Sequence, residues 1–173
     1  DTYDAIMLLS YGGPDGPDDV LPFMRNATRG RGIPDERLLQ VAAHYKRFGG
    51  VSPINACNQR LIADLSAELA RRGHDIPVGW ETRNGTPFVA EPRRARGAGA
   101  RRILVLPTSA YASYSGCRQY REDLAEAAAA LRDKWGTIEL GAEDSADNPD
   151  ADIILDKVRP YYSTPGMASA QIA

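Results

Sequence analysis

Short apolar runs alternate with longer amphipathic stretches along this chain. Residues 5–9 (AIMLL) form a continuous apolar run, which is typical of a strand covered on both faces. Apolar residues alternate over 76–80, and a second continuous run spans 103–106. Weaker alternation over 137–140 completes the set, so the pattern predicts about four strands.

The segments between these runs carry apolar residues at helical spacing. They predict a short helix ending near residue 27, a helix over 35–48, and one from Ser52-Pro53 to about residue 72. The third presents one apolar face (Leu61, Ile62, Leu65 and Leu69). A fourth helix follows Ser115.

Two further helices are predicted with less regular patterns. Residues 86–96 contain Pro92, so that helix is expected to be short, kinked or irregular. Residues 152–162 are predicted as a final helix with four inward positions: Ile154, Val158, Tyr161 and Tyr162.

Strands and helices therefore alternate along the chain. That order predicts an α/β fold: one domain over residues 1–173 with a parallel sheet of about four strands, flanked by helices on both faces. Crossovers between parallel strands are expected to be right-handed.

Composition narrows the function classes. Hydrophobic residues make up 43% of the chain, charged residues 25%, and the net charge is -2, so nothing favours a nucleic-acid binder. No apolar run reaches the ~20 residues that span a bilayer, and no signal peptide is expected before Asp1. Two cysteines make no disulfide framework, which favours the cytoplasm.

Residues 109–122 (SAYASYSGCRQYRE) carry the richest chemistry. Three tyrosines, Tyr111, Tyr114 and Tyr120, accompany serines, arginines and Cys117 where a strand passes into a helix. Ligands bind at that end of the strands in open α/β sheets, and such side chains suit a flat aromatic ligand with carboxylates. The alternatives are half-buried packing for the tyrosines, a helix N-cap for Ser115 and an inert thiol for Cys117.

The loop after the first strand is Tyr11-Gly12-Gly13-Pro14. It lacks the dinucleotide-binding fingerprint, because a tyrosine occupies the first glycine position and proline offers no N–H to a phosphate. Tyr11 either faces a ligand crevice or caps the rim of the core.

Two more loops could meet an anion. Arg29 and Arg31 lie on a glycine-bounded turn, where they bind carboxylates or form a solvated basic turn. Ser52 opens a helix, where its hydroxyl and the helix N-terminus suit a carboxylate or serve as an ordinary cap. His44 and His74 fit no zinc spacing.

Five segments share their order and spacing with one family. They are 8–14 (LLSYGGP), 28–31 (TRGR), 49–55 (GGVSPIN), 83–84 (RN) and 109–122. On these motifs the chain resembles the N-terminal half of the ferrochelatases, in their actinobacterial, coproporphyrin-dependent branch. The resemblance covers most of residues 3–135. It implies a chelatase-like, flavodoxin-like half, with the second α/β domain absent here and the porphyrin held between the two.

The resemblance also implies roles for single residues. Tyr11 matches the tyrosine axial to the porphyrin iron, and Ser52 and Tyr120 match residues that bind propionates. Arg29 and Arg31 lie in the propionate-binding arginine loop; the alternative is that the family's key arginine falls one place earlier, at Thr28. Cys117 matches the first of four cysteines that hold a [2Fe–2S] cluster.

The implied function is insertion of ferrous iron into a porphyrin, coproporphyrin III, in haem biosynthesis. No catalytic residue is expected within this chain, because the family's metal-handling histidine and glutamate lie beyond Ala173. The isolated chain is therefore expected to be inactive. The protein is also expected to be a monomer. The alternatives are a non-catalytic porphyrin- or haem-binding module and a generic flavodoxin-like ligand-binding domain.

Overall fold

The computed structural model describes residues 3–84, 99–109, 113–135, 138–142 and 153–157. Five described strands form one fully parallel sheet in the order β2-β1-β3-β5-β4. The strands are β1 (Ala5–Ser10), β2 (Val78–Thr82), β3 (Arg102–Pro107), β4 (Ile138–Ala142) and β5 (Ile153–Lys157). The α/β class with a parallel sheet is confirmed.

Four α-helices are described. They are α1 (Val20–Ala27), α2 (Asp35–Arg47), α3 (Pro53–Arg71) and α4 (Tyr120–Trp135). A π-helix, Tyr114–Gln119, leads into α4. The predicted helices near these positions are confirmed. However, Ser115 lies inside the π-helix, so it is not the residue before the first turn.

The apolar run of β1 forms the centre of the molecule. All six of its residues are buried, as expected for a strand with neighbours on both sides and layers on both faces. Met7 and Leu9 lie in one core cluster with Ile103 and Val105 of β3 and Leu124 of α4. α3 contacts β1 and β2.

The chain reverses its direction across the sheet after β2. From β1 it moves outward to β2, and it then returns past β1 to β3. Right-handed crossovers place α3 and α4 on opposite faces, because the β1–β2 and β3–β4 connections run in opposite directions. The carboxyl ends of β1 and β3 therefore flank the position where open α/β sheets form ligand crevices.

A smaller apolar cluster joins α1 to α2. Val20 and Met24 of α1 pack against Leu38 and Ala42 of α2. This cluster holds the helical pair beside the loop that follows β1, so Phe23 of α1 reaches Tyr11.

The final helix predicted over 152–162 is wrong where the structure describes it. Residues Ile153–Lys157 form β5, which is hydrogen-bonded between β3 and β4. Ile153, Ile154 and Leu155 fit either a helix or a buried strand, and partners on both sides select the strand. Val158, Tyr161 and Tyr162 lie outside the described residues.

The apolar face predicted for α3 is only partly buried. Leu61 is 40% exposed, while Ile62, Leu65 and Leu69 are half-buried. The irregular helix predicted over 86–96 lies outside the described residues. Among the described residues, no helix is both long and apolar enough to cross a membrane.

Candidate functional site

The carboxyl ends of β1, β2 and β3 are joined by hydrogen bonds between their outgoing loops. The backbone N–H of Thr108 donates to Leu9 O at 2.9 Å, and that of Arg83 donates to Ser10 O at 2.8 Å. The side-chain Nδ2 of Asn84 donates to Tyr11 O at 3.0 Å. Residues that follow three separate strands therefore lie within a few ångströms of Ser10 and Tyr11.

Tyr11 is 41% exposed at this edge of the sheet. Its ring meets Phe23 edge-on, with centroids 5.9 Å apart and planes at 75°. A tyrosine supported on one side and open on the other can present a flat apolar surface and a phenol to a ligand.

Two glycines let the β1 loop pack closely against its neighbours. A Cβ on Gly13 would lie 2.4 Å from Ser52 Cβ, and one on Gly12 would lie 2.7 Å from Thr82 Cβ. Gly12 also has a φ of +79°, which side chains other than glycine rarely adopt. The loop after Tyr11 is thereby pressed against the start of α3.

Ser52 is the N-cap of α3, as the simpler of its two interpretations predicted. Its Oγ accepts a long hydrogen bond of 3.5 Å from the backbone N–H of Ile54, and its own N–H donates to Pro14 O at 2.8 Å. The hydroxyl stays half-buried beside Gly13, at the positive end of a 19-residue helix.

Tyr120 lies behind this surface rather than on it. It is 4% exposed and belongs to the core cluster of β1, β3 and α4. Burial raises the pKa of Tyr120 to about 12; Arg83 opposes the rise, and the nearby Asp123 and Tyr11 add to it.

Arg83 and Asp123 form an ion pair next to Tyr120. The Nε of Arg83 contacts the Oδ2 of Asp123, and the two side chains are 14% and 22% exposed. Burial raises the pKa of Asp123, while Arg83 lowers it and Glu126 and Glu122 raise it further. The pair links the end of β2 to the first turn of α4.

Arg29 and Arg31 lie on the exposed turn after α1. The guanidinium of Arg29 donates to Asn26 Oδ1 at 2.8 Å. Asn26 lines a cavity of about 700 Å³ between α1, α3 and the end of β2, together with Gly13, Asn55 and Trp80. Arg29 is thus connected to this cavity through Asn26, while both arginines remain open to solvent.

The remaining candidates are less informative. Tyr114 is 62% exposed, and its hydroxyl donates to Glu122 at 3.2 Å. Tyr111 and the side chain of Cys117 lie outside the described parts of the structure. Cys57 is a free, exposed cysteine on α3, and its Sγ accepts a contact of 3.4 Å from Arg60.

Among the described residues, no group of three or more histidine, cysteine, aspartate or glutamate side chains is placed to hold a metal. A [2Fe–2S] centre takes four protein ligands. The chain has two cysteines, so its residues do not by themselves fit such a cluster.

A family model for ferrochelatase matches residues 3–170. The chain belongs to the ferrochelatase family. Its curated relatives include the coproporphyrin III ferrochelatase of Streptomyces coelicolor, 52% identical over 171 residues that cover 98% of this chain and 42% of the relative. Those of Leifsonia xyli subsp. xyli (52% over 165 residues) and Mycolicibacterium smegmatis (54% over 130 residues) cover 95% and 75% of this chain and each 38% of the relative. The chain thus spans about two fifths of their length.

The structure brings Tyr11, Ser52 and Tyr120 to one end of the sheet. It places Arg29 and Arg31 on an adjoining turn. Reasoning from the sequence missed the Arg83–Asp123 pair and the support that Phe23 gives to Tyr11. The position of Arg83 directly after a strand could have drawn attention to it. Its partner Asp123 lies on a helix that is distant along the chain, so the pair itself could not be predicted.

Proposed function

We propose that this chain forms the N-terminal wall of a porphyrin cleft in a ferrochelatase that inserts ferrous iron into coproporphyrin III during haem biosynthesis. The observation that carries the proposal is the convergence of Tyr11, Ser52 and Tyr120 at the carboxyl ends of the central strands. The relatives are named coproporphyrin III ferrochelatases, and that name supplies the substrate.

A porphyrin makes two demands on such a wall. Its faces are flat and apolar, and its propionates are anionic. The Tyr11–Phe23 pair offers an aromatic surface to the ring, and we assign the Tyr11 phenol to the axial contact with the iron. Ser52 at the start of α3 offers a hydroxyl and a helix N-terminus to one propionate, and Arg29 and Arg31 offer guanidinium groups to others.

In this scheme the chain's own residues bind and orient the macrocycle. Holding a large rigid ring in one orientation removes the entropy of aligning it with the incoming iron. Tyr120 supports this wall from the core behind it, where it is 4% exposed and burial raises its pKa to about 12. The group that accepts the pyrrole protons is assigned to residues outside this chain.

Binding is tested by titrating the 173-residue chain with coproporphyrin III and following the Soret band. The expected result is a saturable spectral shift, weakened by Tyr11→Phe and by Ser52→Ala. Tyr45→Phe on α2 and Ser66→Ala on α3 are matched controls, because each removes the same hydroxyl outside the cleft. No spectral change with the unmodified chain would refute the proposal.

Catalysis is tested separately by adding ferrous iron without oxygen to the porphyrin-loaded chain. The free-base visible bands are expected to persist, because the proposal assigns the catalytic base to residues outside this chain. Tight binding without insertion is also what the alternative, a porphyrin- or haem-binding module, predicts. A longer protein containing this chain separates the two, since only a ferrochelatase inserts the iron.

Three finer assignments accompany the proposal. Cys117 would supply one of the four ligands of a [2Fe–2S] cluster, and Cys117→Ser in a longer protein is expected to abolish the cluster's visible absorption. We also propose that the protein lies in the cytoplasm, which cell fractionation tests, and that it is a monomer, which light scattering tests.

A further inference from the structure

Arg83 connects three elements at the cleft end of the sheet. Its backbone N–H donates to Ser10 O at 2.8 Å, and the next residue, Asn84, donates to Tyr11 O at 3.0 Å. Its side chain reaches across to Asp123 in the first turn of α4. One short segment therefore attaches the backbone of Tyr11 to the helix that carries Tyr120.

The ion pair in this connection is largely withdrawn from water. The arginine–carboxylate pairs Arg25–Asp35, Arg71–Glu68 and Arg118–Glu122 have side chains that are 43% to 73% exposed. The side chains of Arg83 and Asp123 are 14% and 22% exposed. Separating a desolvated pair leaves a poorly solvated charge behind, so this pair holds its elements together more firmly than a surface pair does.

Tyr120 lies in the same group of side chains. It precedes Asp123 by about one helical turn and is 4% exposed. Its electrostatic neighbours are Arg83, Asp123 and Tyr11. The charges facing Asp123 are Arg83 across the gap and Glu122 and Glu126 on its own helix. Tyr11, Tyr120 and the ion pair thus form one connected cluster.

We infer that Arg83 and Asp123 are positioning residues for the cleft: their ion pair locks α4 to the backbone of Tyr11, and so holds Tyr11, in front of the buried Tyr120, in the position that a bound porphyrin meets. The inference rests on the proposed function. It assigns neither residue a contact with the reacting atoms.

The test is coproporphyrin III binding by Asp123→Asn in the full chain. This variant keeps the size of the side chain and removes its charge. It is expected to weaken affinity about tenfold, within the range measured for contacting pairs. Glu68→Gln is the matched control, because it also neutralises a carboxylate paired with arginine on a helix, and it is expected to bind as the parent chain does.

A purely structural role would lower stability without moving Tyr11. Fluorotyrosine incorporation therefore supplies a second readout, with the Tyr11 signal assigned by its loss in Tyr11→Phe. Asp123→Asn is expected to shift or broaden that signal. Arg83→Lys keeps the charge but not the planar fork, so its affinity is expected to lie between those of the parent chain and Asp123→Asn.

The outcomes are separable. If the parent chain does not bind coproporphyrin III, the proposed function fails. If the parent chain binds, and Asp123→Asn binds equally well with an unchanged Tyr11 signal, the positioning role is refuted. Should Asp123→Asn fail to fold, the cycle of Arg83→Lys, Asp123→Glu and the double variant decides: additive losses of affinity would contradict the inference.

Discussion

Two of the ion pairs among the described residues differ in their burial and in their surroundings. Arg102 and Asp156 join β3 to β5 within the sheet at 2.7 Å, with side chains 8% and 0% exposed. Arg83 and Asp123 join the end of β2 to α4 at the edge of the candidate cleft, with side chains 14% and 22% exposed. The described residues of the chain itself bury the first pair almost completely. The second borders the site, so a ligand there changes its surroundings.

The largest effect is expected from Asp156→Ala. It removes the carboxylate that Arg102 Nε contacts at 2.7 Å within the sheet, and removing one member of a buried pair destabilises proteins by about 3 kcal/mol or more. Urea unfolding monitored by circular dichroism measures the loss. A loss of unfolding free energy below about 1 kcal/mol is typical of surface pairs. That result would show that the pair within the sheet stabilises the protein no more than an exposed pair does.

Gly13→Ala tests how tightly the cleft end is packed. The new Cβ would lie 2.4 Å from Ser52 Cβ and 2.6 Å from its Oγ. Overpacking of this kind destabilises by about 2 kcal/mol, and porphyrin affinity is expected to fall as Ser52 moves. The control is Gly16→Ala, whose nearest contact is Asp19 Oδ2 at 3.9 Å. Equal melting temperatures for the two variants would contradict the close approach.

Arg83→Gln is expected to destabilise by about 1–2 kcal/mol at pH 7, between the surface and the fully buried cases. The loss depends on pH. Burial raises the folded-state pKa of Asp123 above its unfolded value, so the carboxyl contributes stability below the unfolded pKa that is lost as pH rises through the folded pKa. Without Arg83 that pKa rises further, so unfolding at pH 4 should show a smaller defect than at pH 7. A pH-independent defect would refute this account.

Tyr120→Phe probes the same region at alkaline pH. The pKa of Tyr120 is raised from 10.0 to about 12, so the unfolded chain loses this proton first and stability falls as pH rises between those values. The tyrosine's share of that fall is about 1 kcal/mol at pH 11. Chemical denaturation from pH 9 to 11 should therefore show a smaller fall in the free energy of unfolding for Tyr120→Phe than for the parent chain. If that free energy falls equally with pH in both proteins, the Tyr120 phenol is in contact with water.

Glu68→Gln marks the smallest expected effect. Glu68 pairs with Arg71 and Arg72 on the open face of α3, and these arginines lower its pKa. Such pairs are screened by water and salt, so no measurable change in melting temperature is expected at pH 7. A clear drop in the melting temperature would show that the exposure of an ion pair does not predict its contribution to stability in this protein.

The sequence predicted the elements that local patterns specify. The apolar run of β1, the Ser52-Pro53 helix start and the amphipathic helices between strands all appear near their expected positions. The wrong helix over 152–162 has a physical cause. Ile153, Ile154 and Leu155 are apolar enough for either state, and hydrogen bonds to β3 and β4 decide between them.

The candidate site also contains residues that the sequence predicts and contacts that only the folded chain makes. Tyr11 and Ser52 follow from strand ends and cap residues that can be read from neighbouring positions. The burial of Tyr120, the contact of Arg83 with Asp123 and the support of Tyr11 by Phe23 join residues that are distant along the chain.

The sequence by itself determined the α/β class, the glycine loop after β1 and the cap of α3, because each depends on residues within a turn or two of one another. Only the tertiary structure decided that β5 is a strand, that the Arg102–Asp156 and Arg83–Asp123 pairs are withdrawn from water, and that Tyr11 and Tyr120 belong to one cluster. These features depend on which strands pair and on which side chains lose water together, and both are settled when the sheet and its helices pack.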